Sequence, residues 1–278
     1  MNYNWKATAL MGIGTAKAPI LKACRRDQRF SYFLYLPKGF QEESASEYMI
    51  TVVVHGTTRN AEKLKNVFAE YADEMKSLIL APLFPAGIID EEDIHNYKFI
   101  KYCDIRFDHI LLDMVAEVCE TFGVSGDQFY LHGFSGGGQF AHRMLYLHPE
   151  RLRAVSIGAP GRSTYLDDTE DWYAGTRNFE EVFGQPIDAA ALRAVPVLLI
   201  IGAQDTERID YSQDTTFIPA SRKNGSNRVE RMRALYKNYQ DYGLKVRFLA
   251  VPGVAHEGMK IIPQVVKFFK EIAKEVNV

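Results

Sequence analysis

Two hydrophobic periodicities alternate along the chain. Short, continuous apolar runs recur at Phe30 to Leu36, Met49 to Val54, Leu78 to Pro82, Phe129 to Leu131, Leu152 to Gly158, Val197 to Gly202 and Val246 to Val251. The run from Met49 to Val54 is rich in β-branched residues, as in a strand buried on both faces. Phe30 to Leu36 is aromatic and closes on Pro37-Lys38-Gly39, so it reads as an early strand of a hairpin. Between the runs, apolar residues step by three and four. Leu64, Val67, Phe68, Tyr71 and Met75 do so over 61–76, and Ile110, Leu111, Met114, Val115 and Val118 over 107–122. A third helix is predicted from the residues after Ser135 to about Leu147, stopped by His148-Pro149, and a fourth over 261–276, with Ile262, Val265, Val266, Phe269 and Ile272 inward. Strands alternating with helices predict an α/β domain with a mostly parallel central sheet and helices on both faces. Right-handed crossovers then gather the carboxyl ends of the parallel strands on one edge.

Three connections break this rhythm. Residues 84–106 are rich in charge and aromatics and read as a loop. Residues 161–194 contain Trp172, Tyr173 and Phe179, and residues 206–245 include a helical pattern from Arg228 to Tyr242. Long connections in a compact domain tend to be functional, so the last two are expected to be short cap-like insertions that shape a pocket on a single domain spanning 1–278.

Composition narrows the partners. The chain has 278 residues, 47% hydrophobic and 24% charged, with a formal charge of −2, so it has no general basic field for nucleic acid or an anionic membrane. No apolar run approaches the roughly 20 residues that span a bilayer. Lys6, the run Ala7 to Gly14 and Ala16-Lys17-Ala18 have the outline of a secretory signal, but the run is short and weakly apolar, and a cytoplasmic protein is expected. Cys24, Cys103 and Cys119 are odd in number and lack metal-ligand spacing, which fits a reducing compartment. No histidine–carboxylate cluster has metal spacing either, so no metal is expected. The oligomeric state is open, and a homo-oligomer is allowed.

Chemistry enters at Gly133-Phe134-Ser135-Gly136-Gly137, a G-x-S-x-G pattern between an apolar run and a helical one. A serine on a sharp strand-to-helix turn has its oxygen pushed out at the top of the sheet. Serine is a weak nucleophile and needs a base, and the base needs a group to orient it and stabilise its charged form. In an open α/β sheet these come from the ends of other strands. Asp205 follows the 197–202 run through Ala203-Gln204, and His256 follows the 246–251 run through Pro252-Gly253-Val254-Ala255. Glu207, Asp210 and Asp214 are competing carboxylates just downstream of Asp205. A developing oxyanion would meet the Gly136 amide and an amide from His55-Gly56-Thr57-Thr58, with Thr57 or Thr58 the donor.

Together, Gly133 to Gly137, His55-Gly56, Gly202-Ala203-Gln204-Asp205 and Val254-Ala255-His256-Glu257-Gly258 resemble an α/β-hydrolase-fold serine hydrolase, from about Asp27 to the end of the chain. Within that superfamily the chain looks most like small bacterial esterases related to dienelactone hydrolases and polyhydroxybutyrate depolymerases. The dienelactone hydrolases use a cysteine where this chain has Ser135, and the HGGG motif of many lipases is absent because Thr57-Thr58 follow Gly56. The order serine, aspartate, histidine is the one that fold uses. The resemblance implies cofactor-free hydrolysis of a small-molecule ester by Ser135, His256 and Asp205, with an amidase or peptidase, a ligand-binding protein and a perhydrolase as alternatives.

Other polar residues have plainer readings. His55 is expected to shape its loop, His132 to be a buried, hydrogen-bonded sheet residue, and His142 and His148 to lie on a helix face. Tyr97, Phe99, Tyr102, Trp172, Tyr173 and Phe217 are either an acyl-binding wall or satellite core, with Tyr102, Trp172 and Tyr173 taken as substrate-binding candidates. Arg162, Arg177, Arg208, Arg222 and Arg228 are either partners for a substrate carboxylate or solvated surface.

Overall fold

The computed structural model describes residues 20–208 and 224–276. The segment before Ile20, with the signal-like outline, lies outside them, as do Asp210, Asp214, Phe217 and Arg222. Among the described residues ten strands form: β1 (Ile20–Ala23), β2 (Ser31–Tyr35), β3 (Met49–Val54), β4 (Ser77–Leu83), β5 (Lys101–Tyr102), β6 (Ile105–Arg106), β7 (Phe129–Phe134), β8 (Leu152–Gly158), β9 (Val197–Gly202) and β10 (Val246–Val251). All but β5 and β6, which pair with each other, build one eight-stranded sheet in the order β1-β2-β4-β3-β7-β8-β9-β10. β2 runs antiparallel to both β1 and β4, and the pairs from β4 to β10 are parallel.

The expected hairpin strand is β2. Its partner β1 carries too little periodicity to read from sequence. The helices are α1 (Ala61–Val67), α2 (Ala69–Met75), α3 (Phe107–Phe122), α4 (Gly136–Leu147), α5 (Phe179–Phe183), α6 (Ala189–Ala194), α7 (Arg228–Asp241) and α8 (Gly258–Val276). The helix expected over 61–76 is broken at Phe68. The Phe68 amide bonds Lys65 at 3.2 Å, a tight i→i−3 turn that kinks the axis while Phe68 stays buried against the His132 ring.

Alternation along the strands feeds two cores. Ile50, Val52, Val54, Leu78 and Leu80 face α3, α4 and α7, where Met114, Val118, Phe140, Met144, Met232 and Leu235 are buried. Val53, Ile79, Ala81 and Tyr130 face α1, α2 and α8, against Leu64, Tyr71, Ile261, Val265 and Phe269. Burial on both faces explains the unbroken apolar runs of the central strands, while β10, at the sheet edge, is only partly covered. No helix among the described residues is long and apolar enough to cross a membrane.

Candidate active site

Ser135 stands between β7 and α4 with φ 57° and ψ −112°, a conformation that side-chain-bearing residues rarely adopt. Close packing holds it there. The Ser135 amide bonds the Gly158 carbonyl at 2.8 Å, and a Cβ at Gly133 would collide with the Gly137 carbonyl. The two motif glycines thus let α4 start directly over the end of β7.

Three loops converge on this turn. After β9, the Ala203 and Gln204 amides bond Val251 and Val254, each at 2.9 Å, so the segments carrying Asp205 and His256 are stitched together. The His256 ring lies 4.8 Å from the Phe134 ring. His256 Nδ1 is 2.6 Å from Asp205 Oδ2, and His256 Nε2 is 3.1 Å from Ser135 Oγ. With Nδ1 donating to the carboxylate, Nε2 is left to accept the serine proton. The Asp205 side chain is buried, and that of His256 is partly open to solvent. The loop after β3 is the third. Gly56 packs against Ser135, and a Cβ at Gly136 would fall 3.2 Å from the Thr57 amide nitrogen. Gly136 opens α4, and a helix's first N–H groups have no partner within the helix. Of the two threonines, Thr57 therefore borders Gly136, while Thr58 is exposed.

Sequence reasoning left Arg228 open between a partner for substrate and solvated surface. The residue starts α7, and its Nη1 donates to Asp205 Oδ1 at 2.9 Å. The two carboxylate oxygens are thus divided between Arg228 and His256. Burial pushes the Asp205 carboxyl up, but the bonds and charges of His256 and Arg228 outweigh it and hold it below the usual carboxylate range. Asn227 caps α7 by accepting from Glu230 N at 3.0 Å, and Glu230 bonds back to Asn227 at 2.9 Å. This Asn227–Glu230 cap fixes where Arg228 starts its helix. Glu207 lies 3.9 Å from Arg228 and stays exposed, so Asp205 is the carboxylate on His256.

The remaining candidates separate. His55 is buried, bonds the Gly56 carbonyl at 2.8 Å and accepts from Phe84 N at 3.0 Å. Burial lowers its pKa to about 4, so it stays neutral while shaping the loop. His132 is buried on Ser156 at 3.1 Å. His142 is inside α4, bonded to Gly138 and Thr164. His148 ends α4 and sits 2.8 Å from Asp108, close to His109. In that cluster Arg106 grips both Asp108 oxygens, at 2.8 and 2.6 Å, supplying the positive charge a metal ion would bring. Trp172 is buried edge-on against Phe179 and Phe183, and Tyr173 stacks on Phe99 at 4.0 Å. Tyr102 belongs to the β5–β6 hairpin and is half-buried against the main core. Arg177 pairs with Asp171 on the surface.

No protein-family model matches the sequence, and no curated protein does. Among solved structures, the chain is similar to the poly(3-hydroxybutyrate) depolymerase LpqC from Bordetella parapertussis, at 22% identity and a TM-score of 0.73 over 95% of each chain. It is similar to poly(aspartic acid) hydrolase-1 from Sphingomonas sp. KT-1, at 21% identity and a TM-score of 0.72, over 90% of this chain and 97% of the other. It also resembles an S-formylglutathione hydrolase from Agrobacterium tumefaciens, at 15% identity and a TM-score of 0.59, over 94% and 97%. The fold is the α/β-hydrolase fold.

Proposed function

We propose that the protein is a serine hydrolase that cleaves a small carboxylic ester through an acyl-enzyme. The observation that carries this reading is the continuous relay Ser135–His256–Asp205, with contacts of 3.1 and 2.6 Å, on a turn that exposes the serine oxygen. Ser135 Oγ attacks the ester carbonyl as His256 Nε2 takes its proton. The carbonyl oxygen becomes an oxyanion held by the Gly136 and Thr57 amides. Removing one such donor typically costs about 3–4 kcal/mol of transition-state stabilisation. His256 then protonates the alcohol as its bond to carbon breaks. Water repeats the sequence on the acyl-enzyme and frees the acid and Ser135. Asp205 keeps the imidazole in the productive tautomer and stabilises its charged form, and Arg228 holds Asp205 in place. No cofactor enters any step.

The depolymerase and S-formylglutathione hydrolase neighbours support an ester-type bond, and the poly(aspartic acid) hydrolase favours amides as the second reading. Cys24, Cys103 and Cys119 are all free thiols, which supports cytoplasmic placement. A fluorophosphonate probe tests the reading. The native protein should take one covalent adduct on Ser135, and Ser135→Ala none. An unlabelled native protein with no turnover of short esters overturns it, and a matched ester and amide pair decides the bond.

A further inference from the structure

Opposite the Asp205–His256 relay, the wall beside Gly136 is built from cations. The segment 93–100 is pinned there. Asp93 accepts from the His95 and Asn96 amides at 2.8 and 3.0 Å, Asn96 bonds the Pro85 carbonyl at 2.9 Å, and the Tyr97 hydroxyl bonds the His55 carbonyl at 3.0 Å. This presents Lys98 to the site. A Cβ on Gly136 would fall 2.9 Å from Lys98 Cε and 2.5 Å from the Tyr97 hydroxyl. Lys98 is 1% exposed, and its ammonium makes one hydrogen bond, to His95 Nδ1 at 2.7 Å. An ammonium has three donors, and a neutral imidazole nitrogen is a poor counterion.

The neighbours do not supply the missing negative charge. Arg59 spends its guanidinium on the carbonyls of Thr57, Phe84 and Ile94, and Arg143 spends its own on Thr164 Oγ1 and the carbonyls of Lys98 and Arg162. Among the described residues, no carboxylate is within ion-pair distance of Lys98, Arg59 or Arg143. Asp93, the nearest acidic influence, is occupied by backbone amides. Arg162, itself half-buried, lies beside His95 and Phe99. Burial and the charges of Arg59, Arg162 and Arg143, set against Asp93, lower the Lys98 pKa to about 7. Burial and Lys98 lower that of His95 to about 4, so His95 remains a neutral acceptor. A buried charge without a counterion is costly, and a ligand that brings one recovers the cost.

Resting on the hydrolase reading above, we propose that Lys98, with His95 beside it, binds a carboxylate on the acyl part of the substrate, so that the preferred substrates are half-esters of short dicarboxylic acids. The topology assigns the acyl side. The leaving alcohol must sit by His256, whose loop and that of Asp205 follow β10 and β9 on one side of β7. Lys98 comes from the connection after β4, on the other side. A carboxylate suits the site better than a phosphate, because the guanidinium forks of Arg59 and Arg143 are already spent and one point charge is left.

The test compares monoethyl succinate, glutarate and adipate with the matching ethyl ester amides, in which a neutral carboxamide replaces the carboxylate. Acid release is followed in a pH-stat at pH 6.5. For at least one chain length, kcat/KM of the wild type should favour the carboxylate by about tenfold or more, and Lys98→Met and Lys98→Gln should each cut that ratio about tenfold. The free dicarboxylate of that length should slow fluorophosphonate labelling of the wild type, and Lys98→Met should lose this protection. Labelling of Ser135 with turnover of neutral esters but no carboxylate preference overturns the inference and leaves the hydrolase reading intact. An equal loss on both members of a pair in the Lys98 variants also overturns it, since Lys98 would then serve the oxyanion alone. No labelling and no turnover of any ester overturns the hydrolase reading itself.

Discussion

The two flanks of Ser135 handle charge in opposite ways. On the β9–β10 side, the buried Asp205 carboxylate is answered twice, by His256 at 2.6 Å and Arg228 at 2.9 Å. On the β4 side, Lys98, Arg59 and Arg143 are tethered, among the described residues, only to neutral acceptors. A compensated group is held in one geometry, which is what orienting a base requires. An uncompensated one keeps an unmet demand that a ligand can fill. Fold and sheet alone would not distinguish these roles, since both flanks hang from strands of one parallel array.

The largest effects come from breaking the compensated flank at its centre. Asp205→Asn keeps the shape but replaces an acceptor oxygen with a donor, so the imidazole turns to the wrong tautomer. By analogy with serine proteases, kcat should fall about 10⁴-fold, measured on a neutral short ester. A loss below about tenfold would detach Asp205 from the relay. Next in size is the junction between the flanks. Gly136→Ala places a methyl against Tyr97, Lys98 and the Thr57 amide, pushing the cationic wall from the serine. A displacement of that order costs roughly 10²-fold in kcat. The helix preference of alanine, about 1 kcal/mol, offsets part of the overpacking cost of about 1–3 kcal/mol, so the melting temperature should fall by only a few degrees. Activity unchanged in this variant would show that the wall does not border the reacting carbonyl.

Legibility follows the same division. The strands β3, β8 and β9 and the helix α3 have sequence bounds that match the structure, because burial on two faces or along one stripe leaves a strong period, and the bounds of the partly covered edge strand β10 match as well. The convergence of Ser135, Asp205 and His256 was legible because each follows a strand, and parallel strands place those ends together. Arg228 was only half legible. The helical pattern from Arg228 to Tyr242 set its helix, but nothing local says that the helix start meets Asp205, 23 residues earlier. Lys98 left no signal. It lies in a stretch without period, and its environment comes from His55, Arg59, Gly136 and Arg143, which are distant in sequence. Trp172 was ambiguous for the same reason, since an aromatic in a long connection fits either a pocket or the main core, which it joins with Phe179 and Phe183.

Arg228→Met sharpens the comparison at intermediate size. Asp205 would keep His256 but lose its second partner in a buried place, at a cost of about 1–3 kcal/mol of stability. With Asp205 held by one partner instead of two, the imidazole is oriented less firmly, and kcat on a neutral short ester should fall. The Asp205 carboxyl, held low in the wild type, contributes stability above its ordinary value of 3.8 that is lost as pH falls through the depressed one. Without Arg228 this contribution shrinks, and acid unfolding should begin at higher pH. Arg228→Lys should restore part of both effects. A variant that loses stability with kcat unchanged would make Arg228 a purely structural anchor.

The same exchange of a cation for methionine should act in the opposite sense on the other flank. Lys98 has a folded-state pKa of about 7 against an ordinary 10.5. Between those values the unfolded chain binds the extra proton, so wild-type stability rises with pH across that window. The penalty for burying the ammonium is complete below about 7 and gone above about 10.5. Lys98→Met removes an unanswered charge while keeping most of the side-chain volume. Its melting temperature should exceed that of the wild type by a few degrees at pH 6.5, the size expected of about 1 kcal/mol in a domain this large, and the gap should close as pH approaches 10. Thermal melts of both methionine variants over pH 6–10 read the contrast directly. If Lys98→Met is destabilised at pH 6.5 as Arg228→Met is, the ammonium already has an internal counterion, and the two flanks differ in chemistry less than their hydrogen bonds imply.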